Sequence, residues 1–188
     1  MPAKAVGYVL SGHDNRAHFF EVDPPPSVLC AACKSVLDTT YRPTVLALRT
    51  GMDISSTYDN VAVASERFAR LCREEAVPGA AFHRFQGRDA AYYFIESTRV
   101  VAFDAERRGT RFEDKCSRCG NFESVIGATP AYLKISTPLE RGFFRTDLAF
   151  GSNQAKRPML LVDRETASVL KSWKLAGMEL HECRGMDV

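Results

Sequence analysis

The chain has 188 residues, 45% of them hydrophobic, with 25 basic and 23 acidic residues and a formal net charge of +2. That is apolar material for one ordinary domain or two small halves sharing a core, and the balanced charge gives no global field to draw nucleic acid or an anionic membrane. No apolar run reaches the length of a membrane span, and the opening MPAKAVGYVLSGHDN has no signal-peptide apolar region or cleavage site, so the chain reads as cytoplasmic.

Residues 4–10 and 17–22 read as strands flanking a polar turn from Ser11 to Arg16. Pro24-Pro25-Pro26 imposes an extended segment that delivers Cys30-Ala31-Ala32-Cys33. Val45 to Leu48 is a short apolar strand, and Gly51 to Asn60, rich in Asp, Ser and Asn, is a loop. Ser65 caps a helix through about Glu75, with Phe68, Leu71 and Cys72 at helical spacing. Pro78-Gly79 ends it, and Ala81 to Phe85 is a strand.

The second half repeats this plan. Ala91 to Ile95 and Arg99 to Phe103 read as a hairpin, Glu113 to Phe122 carries Cys116-Ser117-Arg118-Cys119, and Ala131 to Ser136 is a strand. A helix starts at Asp163 or Arg164 and runs to about Lys174, with Ala167, Leu170 and Trp173 on one face and Gly177 at the C′ position. Met178 to Cys183 is the last strand. Matching segments include Gly7 to Leu10 with Tyr92 to Ile95, Ser35-Val-Leu37 with Ser124-Val-Ile126, and Val61 to Phe85 with Leu160 to Cys183. Their offset moves from 85 through 86 and 89 to 99 and 98. A duplication with loop insertions leaves such a drift. The fold expected is therefore α+β: a pseudo-duplication of two similar strand-rich halves, 1–88 and 89–188, with one helix each, forming a single domain over 1–188.

Each CxxC presents two thiolates from one turn, and two such turns make the closed tetrahedral site that structural zinc prefers. Cys30, Cys33, Cys116 and Cys119 are thus the expected ligands of one zinc ion. The 82 residues between the pairs far exceed the 15–20 of an ordinary zinc ribbon; one knuckle per half accounts for the distance. Disulfides, redox chemistry and unliganded thiols are the competing readings. A redox CxxC opens a helix after a strand, whereas the first pair follows three prolines and the second lies among charged residues. Four thiolates leave a metal no open position, which argues against catalysis, as does the absence of HExxH, GxSxG or a phosphate loop from the sequence. Cys72 and Cys183 read as core residues. His83 and His181 occupy equivalent places and read as structural, and His13-Asp14 reads as a polar turn before an acid/base pair.

Arg107, Arg108, Arg111, Lys115 and Arg118, interleaved with Phe112 and Phe122, give a zinc-knuckle nucleic-acid interface some material. Glu106, Glu113, Asp114 and Glu123 dilute it, and a solvated charged loop is the simpler account. Leu139 to Arg157 is about ten residues longer than its counterpart. Its Arg141, Phe143, Phe144 and Arg145 are of interface types, so they are the candidate partner surface; the alternative is that the two phenylalanines cover the sheet.

The layout resembles the double-CxxCG motif family, best known from myxobacteria. The resemblance lies in the first CxxC after a proline-rich stretch, in Cys116-Ser-Arg-Cys119-Gly120, and in Pro158-Met-Leu-Leu-Val-Asp163 leading through a helix to Gly177-Met-Glu-Leu180. It covers most of the chain. The first knuckle departs by Lys34 where the family motif has glycine. Some members look like immunity proteins that protect a cell from a polymorphic toxin of its kin. The resemblance implies a non-enzymatic, protein-binding role with a toxin as partner; a zinc-ribbon nucleic-acid-binding or transcription-associated adaptor is the alternative.

Overall fold

The computed structural model describes residues 5–20, 24–49, 51–87 and 90–186. Within them the chain forms β1 (Ala5–Asp14), β2 (Ile54–Ser56), β3 (Ala62–Ser65), α1 (Glu66–Glu74), β4 (Ala80–Gln86), β5 (Ala91–Ser97) and β6 (Val100–Val101). There follow α2 (Ala105–Arg108), β7 (Arg111–Lys115), β8 (Phe122–Ile126), β9 (Ala131–Tyr132) and β10 (Phe143–Ser152). A 3-10 turn at Asn153–Ala155, β11 (Arg157–Val162), α3 (Arg164–Ser172) and β12 (Met178–Arg184) complete the order. Strand-rich with three helices, it is an α+β arrangement. Among the described residues no helix is long and apolar enough to cross a membrane.

One sheet runs β4-β5-β3-β2-β1-β11-β10-β8-β7, with β12 also pairing β1. Two triplets stand out in it. β5 lies between β3 and β4, with Val63 opposite Phe94 and His83 opposite Phe94. β1 lies between β11 and β12, with Leu161 opposite Val9 and His181 opposite Val9. The central strands match at an offset of 85 and the flanking strands at 98, in identical register. β2 joins the triplets, parallel to β1 and antiparallel to β3. The triplets cross the expected boundary at 88/89: β1 pairs with strands of the far half, and β5 with strands of the near one.

The two helices are equivalent at the same offset of 98. Ser65 and Asp163 cap them, each side-chain oxygen accepting the N–H of the residue three positions on, which satisfies an orphan donor of the first turn. Both end in a left-handed residue, Ala76 and Lys174. Lys174 therefore takes the C′ position expected for Gly177. Gly177 comes three residues later at φ +79°, where a Cβ would stand 2.4 Å from the Ile54 carbonyl oxygen; Gly79 makes the matching approach to the Phe143 carbonyl oxygen. Both helices lie on one face of the sheet over a shared core of Leu10, Ala64, Phe68, Tyr93, Phe143, Val162 and Leu170. On the opposite face, Val9, Phe103, Phe144, Phe150 and Leu161 form one cluster and Phe19, Leu46, Phe85 and Phe94 another.

Several expected elements are corrected. β1 continues to Asp14 through the expected turn, because its edge meets β2 at His13 and Asp14. Residues 17–20 are not a strand; Phe19 is buried there as a lid on the sheet, and residues 21 and 22 lie outside the described residues. The proline run ends in a turn, Val28 N–H donating to the Pro25 carbonyl. Val45 makes a single bridge, to Gln86, and the expected loop 51–60 contains β2. Residues 91–103 are no hairpin: β5 pairs with β3 and β4, whereas β6 pairs in parallel with β10. Ala131 to Ser136 shortens to the two-residue β9.

Candidate metal centre

The second knuckle is the tip of the β7–β8 hairpin, and the first sits in the long irregular stretch between β1 and β2. They are built alike. Cys30 N–H donates to the Ser35 carbonyl at 2.8 Å and Lys34 N–H to the Cys30 carbonyl at 2.9 Å. Cys116 N–H donates to the Asn121 carbonyl at 2.8 Å and Gly120 N–H to the Cys116 carbonyl at 2.9 Å. Flanking pairs Leu29–Val36 and Lys115–Phe122 close each turn. Lys34 is left-handed at φ +58°, as Gly120 is at +77°. Lys34 thus takes the left-handed place that Gly120 holds in the second knuckle, and the two turns keep one shape.

The four sulfurs lie within 4.8 Å of one another. Cys30 Sγ is 4.0 Å from Cys116 Sγ, and Cys33 Sγ is 3.5 Å from Cys119 Sγ. A tetrahedron with metal–sulfur bonds of about 2.3 Å has edges of about 3.8 Å, so the donor set fits a single ion. Cys30, Cys33 and Cys116 are buried and Cys119 is half-buried. The backbone N–H groups of Cys33 and Ala32 lower the pKa of Cys30. The Ser35 hydroxyl, 3.2 Å from Cys33 Sγ, brings Cys33 down to about 6. Cys119 is drawn down by the Asn121 N–H, but burial and the sulfurs of Cys33, Cys30 and Cys116 outweigh it and push it up to about 11. Crowded sulfurs resist joint ionisation; a divalent cation among them removes that conflict, since its ligands must be thiolates.

Three residues not singled out as site residues in the sequence hold the knuckles. Asn153 Nδ2 donates to the Cys33 carbonyl at 2.9 Å. Lys156 Nζ donates to Ser35 Oγ at 2.8 Å, to the Glu123 carbonyl at 3.3 Å and to the Phe122 carbonyl. Burial lowers the pKa of Lys156, against the pull of the Cys33 and Cys119 sulfurs. The third, Ser35, is 1% exposed. Ser35 appears in the sequence only as a repeat landmark, and Lys156 and Asn153 only as part of the longer segment.

Cys72 and Cys183 are buried, and desolvation pushes each thiol up to about 12. His83 and His181 occupy matched positions on β4 and β12, exposed, each beside a glutamate: Glu96 at 3.1 Å and Glu179 at 3.3 Å. His13 bonds Glu179 at 3.0 Å from within β1. Of the basic group near the second knuckle, Arg107 turns inward over Tyr132 and donates to the Gly185 carbonyl, and Arg111 pairs with Glu113.

The expected partner surface is corrected. Residues 143–152 form β10, with sheet neighbours on both sides. Phe143 is fully buried against Phe68, and Phe144 is buried beneath the Arg99 guanidinium. A strand covered on both faces buries consecutive side chains, so neither aromatic is available to a partner. Arg141 is bound within the molecule, to Glu165 at 3.0 Å and to the Glu75 carbonyl at the end of α1 at 2.8 Å. Arg145 Nη1 reaches the Thr146 carbonyl at 3.3 Å. Comparison with protein-family models and with curated proteins gives no match for this chain.

Proposed function

We propose that Cys30, Cys33, Cys116 and Cys119 bind one structural zinc ion and that the protein is a non-enzymatic protein-interaction module. Its role is that of a cytoplasmic immunity protein neutralising a cognate toxin. The observation that carries the metal reading is the closed all-sulfur set, its four sulfurs within 4.8 Å of one another. Tetrahedral thiolate sites suit zinc, and four protein ligands leave no position for a substrate. The ion's task is then to hold chain segments far apart in sequence in one frame. The immunity reading rests on the double-CxxCG resemblance, whose terminal pattern is β11 running into the Asp163 cap of α3.

In this reading the chain is a duplicated unit sharing a zinc-ribbon-like site and folding as a single domain. The constant offsets of register and the matched knuckles support it. Each copy supplies one knuckle and places its central strand between the outer strands of the other copy.

Metal analysis of reduced protein should give one zinc per chain. Structural zinc contributes on the order of 10 kcal/mol of apparent folding free energy, comparable to the stability of a whole domain. Cys30→Ser should therefore lose the ion and melt far lower. Two zincs, none, or stoichiometric iron in the reduced protein overturns the assignment. Co-production with a toxin encoded beside this chain should restore growth; loss of protection at full zinc occupancy removes the immunity role.

One observation favours the nucleic-acid alternative. Phe112, 41% exposed, lies 5.3 Å from Phe122, with the Lys115 ammonium 6.0 Å from the latter ring. Aromatic platforms of this kind stack bases. Binding of a single-stranded oligonucleotide that falls steeply with salt would select that reading.

A further inference from the structure

Lys156 reaches both knuckles at once. An ammonium has three N–H donors, and all three are engaged: one on Ser35 Oγ after the first knuckle, two on the Phe122 and Glu123 carbonyls after the second. Ser35 Oγ in turn lies 3.2 Å from Cys33 Sγ. A hydroxyl carries one proton and two lone pairs. With a lone pair taken by Lys156, its proton is free to turn toward sulfur, and a thiolate can only accept. The arrangement is one-sided: the hydrogen bonds of the two turns put Asn121, and not the Ser124 expected from the sequence, in the place of Ser35. Lys156 also lies in the segment by which the second half exceeds the first.

We infer that Lys156 and Ser35 form a positioning relay for the metal–thiolate centre: the ammonium clamps the two knuckles together, offsets part of the centre's negative charge, and aims the Ser35 hydroxyl at the Cys33 sulfur. The inference rests on the reading that the four cysteines bind a divalent ion. Four thiolates around such an ion leave two negative charges in excess, and uncompensated charge in a mostly buried site is costly. Partners of this kind behind metal ligands are typically worth 10–100-fold in affinity.

The test is a cobalt(II) titration of the reduced, metal-free full chain, read at the sulfur-to-cobalt charge-transfer band and followed by competition with a chelator. Wild type should take one equivalent. Lys156→Met and Ser35→Ala should each hold cobalt 10–100-fold more weakly. In each the band should move to lower energy, because a thiolate that loses a hydrogen bond gives up its electron more easily. The double variant should bind no more weakly than the weaker single one, and Lys156→Arg should recover part of the loss. Should Lys156→Met fail to fold, Ser35→Ala, which removes one buried hydroxyl, carries the same test. Failure of wild type to take cobalt overturns the metal reading. Stoichiometric binding by wild type, with both variants within twofold and the band unmoved, overturns the relay alone. Additive losses in the double variant show two independent contacts and also overturn it.

Discussion

At the scale of single residues, the four-cysteine cluster is specified by local chemistry. Each CxxC turn needs one residue in the left-handed region after its second cysteine, and glycine reaches it without strain. Gly120 sits there with open space where a Cβ would be, as nothing lies within 4 Å of it. Gly120→Ala therefore tests backbone strain alone: it should cost about 1 kcal/mol in urea denaturation while metal content stays at that of wild type. Loss of the ion instead would mean that the turn tolerates no side chain, against the example of Lys34. The clustering of the four cysteines was legible in the sequence because each pair, three residues apart, puts two sulfurs on one turn. Lys156 and Asn153 were not, because their side chains reach the first knuckle across more than a hundred residues. Nothing local in the sequence marks that reach.

At the scale of elements, the helices were legible and the strands less so. α1 and α3 carry both an amphipathic spacing and a capping side chain, Ser65 and Asp163, and two agreeing local signals place an element well. The strands lack that redundancy. β10 is flanked by β11 on one side and β6 and β8 on the other. With both faces covered it shows no alternation and reads as an interface loop. Phe19 belongs to an apolar run of strand type, yet it covers the sheet without pairing. The corrected place of Phe143 has a direct consequence. Its ring fills the core between the two helices and the sheet, so Phe143→Ala should destabilise the fold by about 3–5 kcal/mol, measured by denaturant unfolding. A change below 1 kcal/mol would return Phe143 to the surface.

At the scale of the whole molecule, the boundary expected at 88/89 does not separate the strands in space. Residues 1–88 hold β1 and the β3–α1–β4 unit, but the strand between β3 and β4 is β5. Residues 89–188 hold β5 and the β11–α3–β12 unit, but the strand between β11 and β12 is β1. Each fragment also holds only two of the four thiolates. Produced separately, the fragments should give poorly dispersed amide spectra even with zinc. Mixed in equal amounts with zinc, they should form a one-to-one complex whose spectrum matches that of the intact chain. A fragment that melts cooperatively alone would contradict this interleaving of strands.

The same interleaving bears on how the molecule is made. β1 is made well before its antiparallel neighbours, Arg157–Val162 and Met178–Arg184. At about 5–20 residues per second, this strand waits on the order of ten seconds or more for the segments that will cover it. Through that interval Val6, Val9 and Leu10, all buried at the end, face water. The near knuckle likewise holds two thiols with no counterpart. Under the proposed zinc reading, capture of the ion follows synthesis of the far half, which supplies Cys116 and Cys119. Until the far half is made, those thiols and the apolar side chains of β1 are open to oxidation and to stray strand pairing.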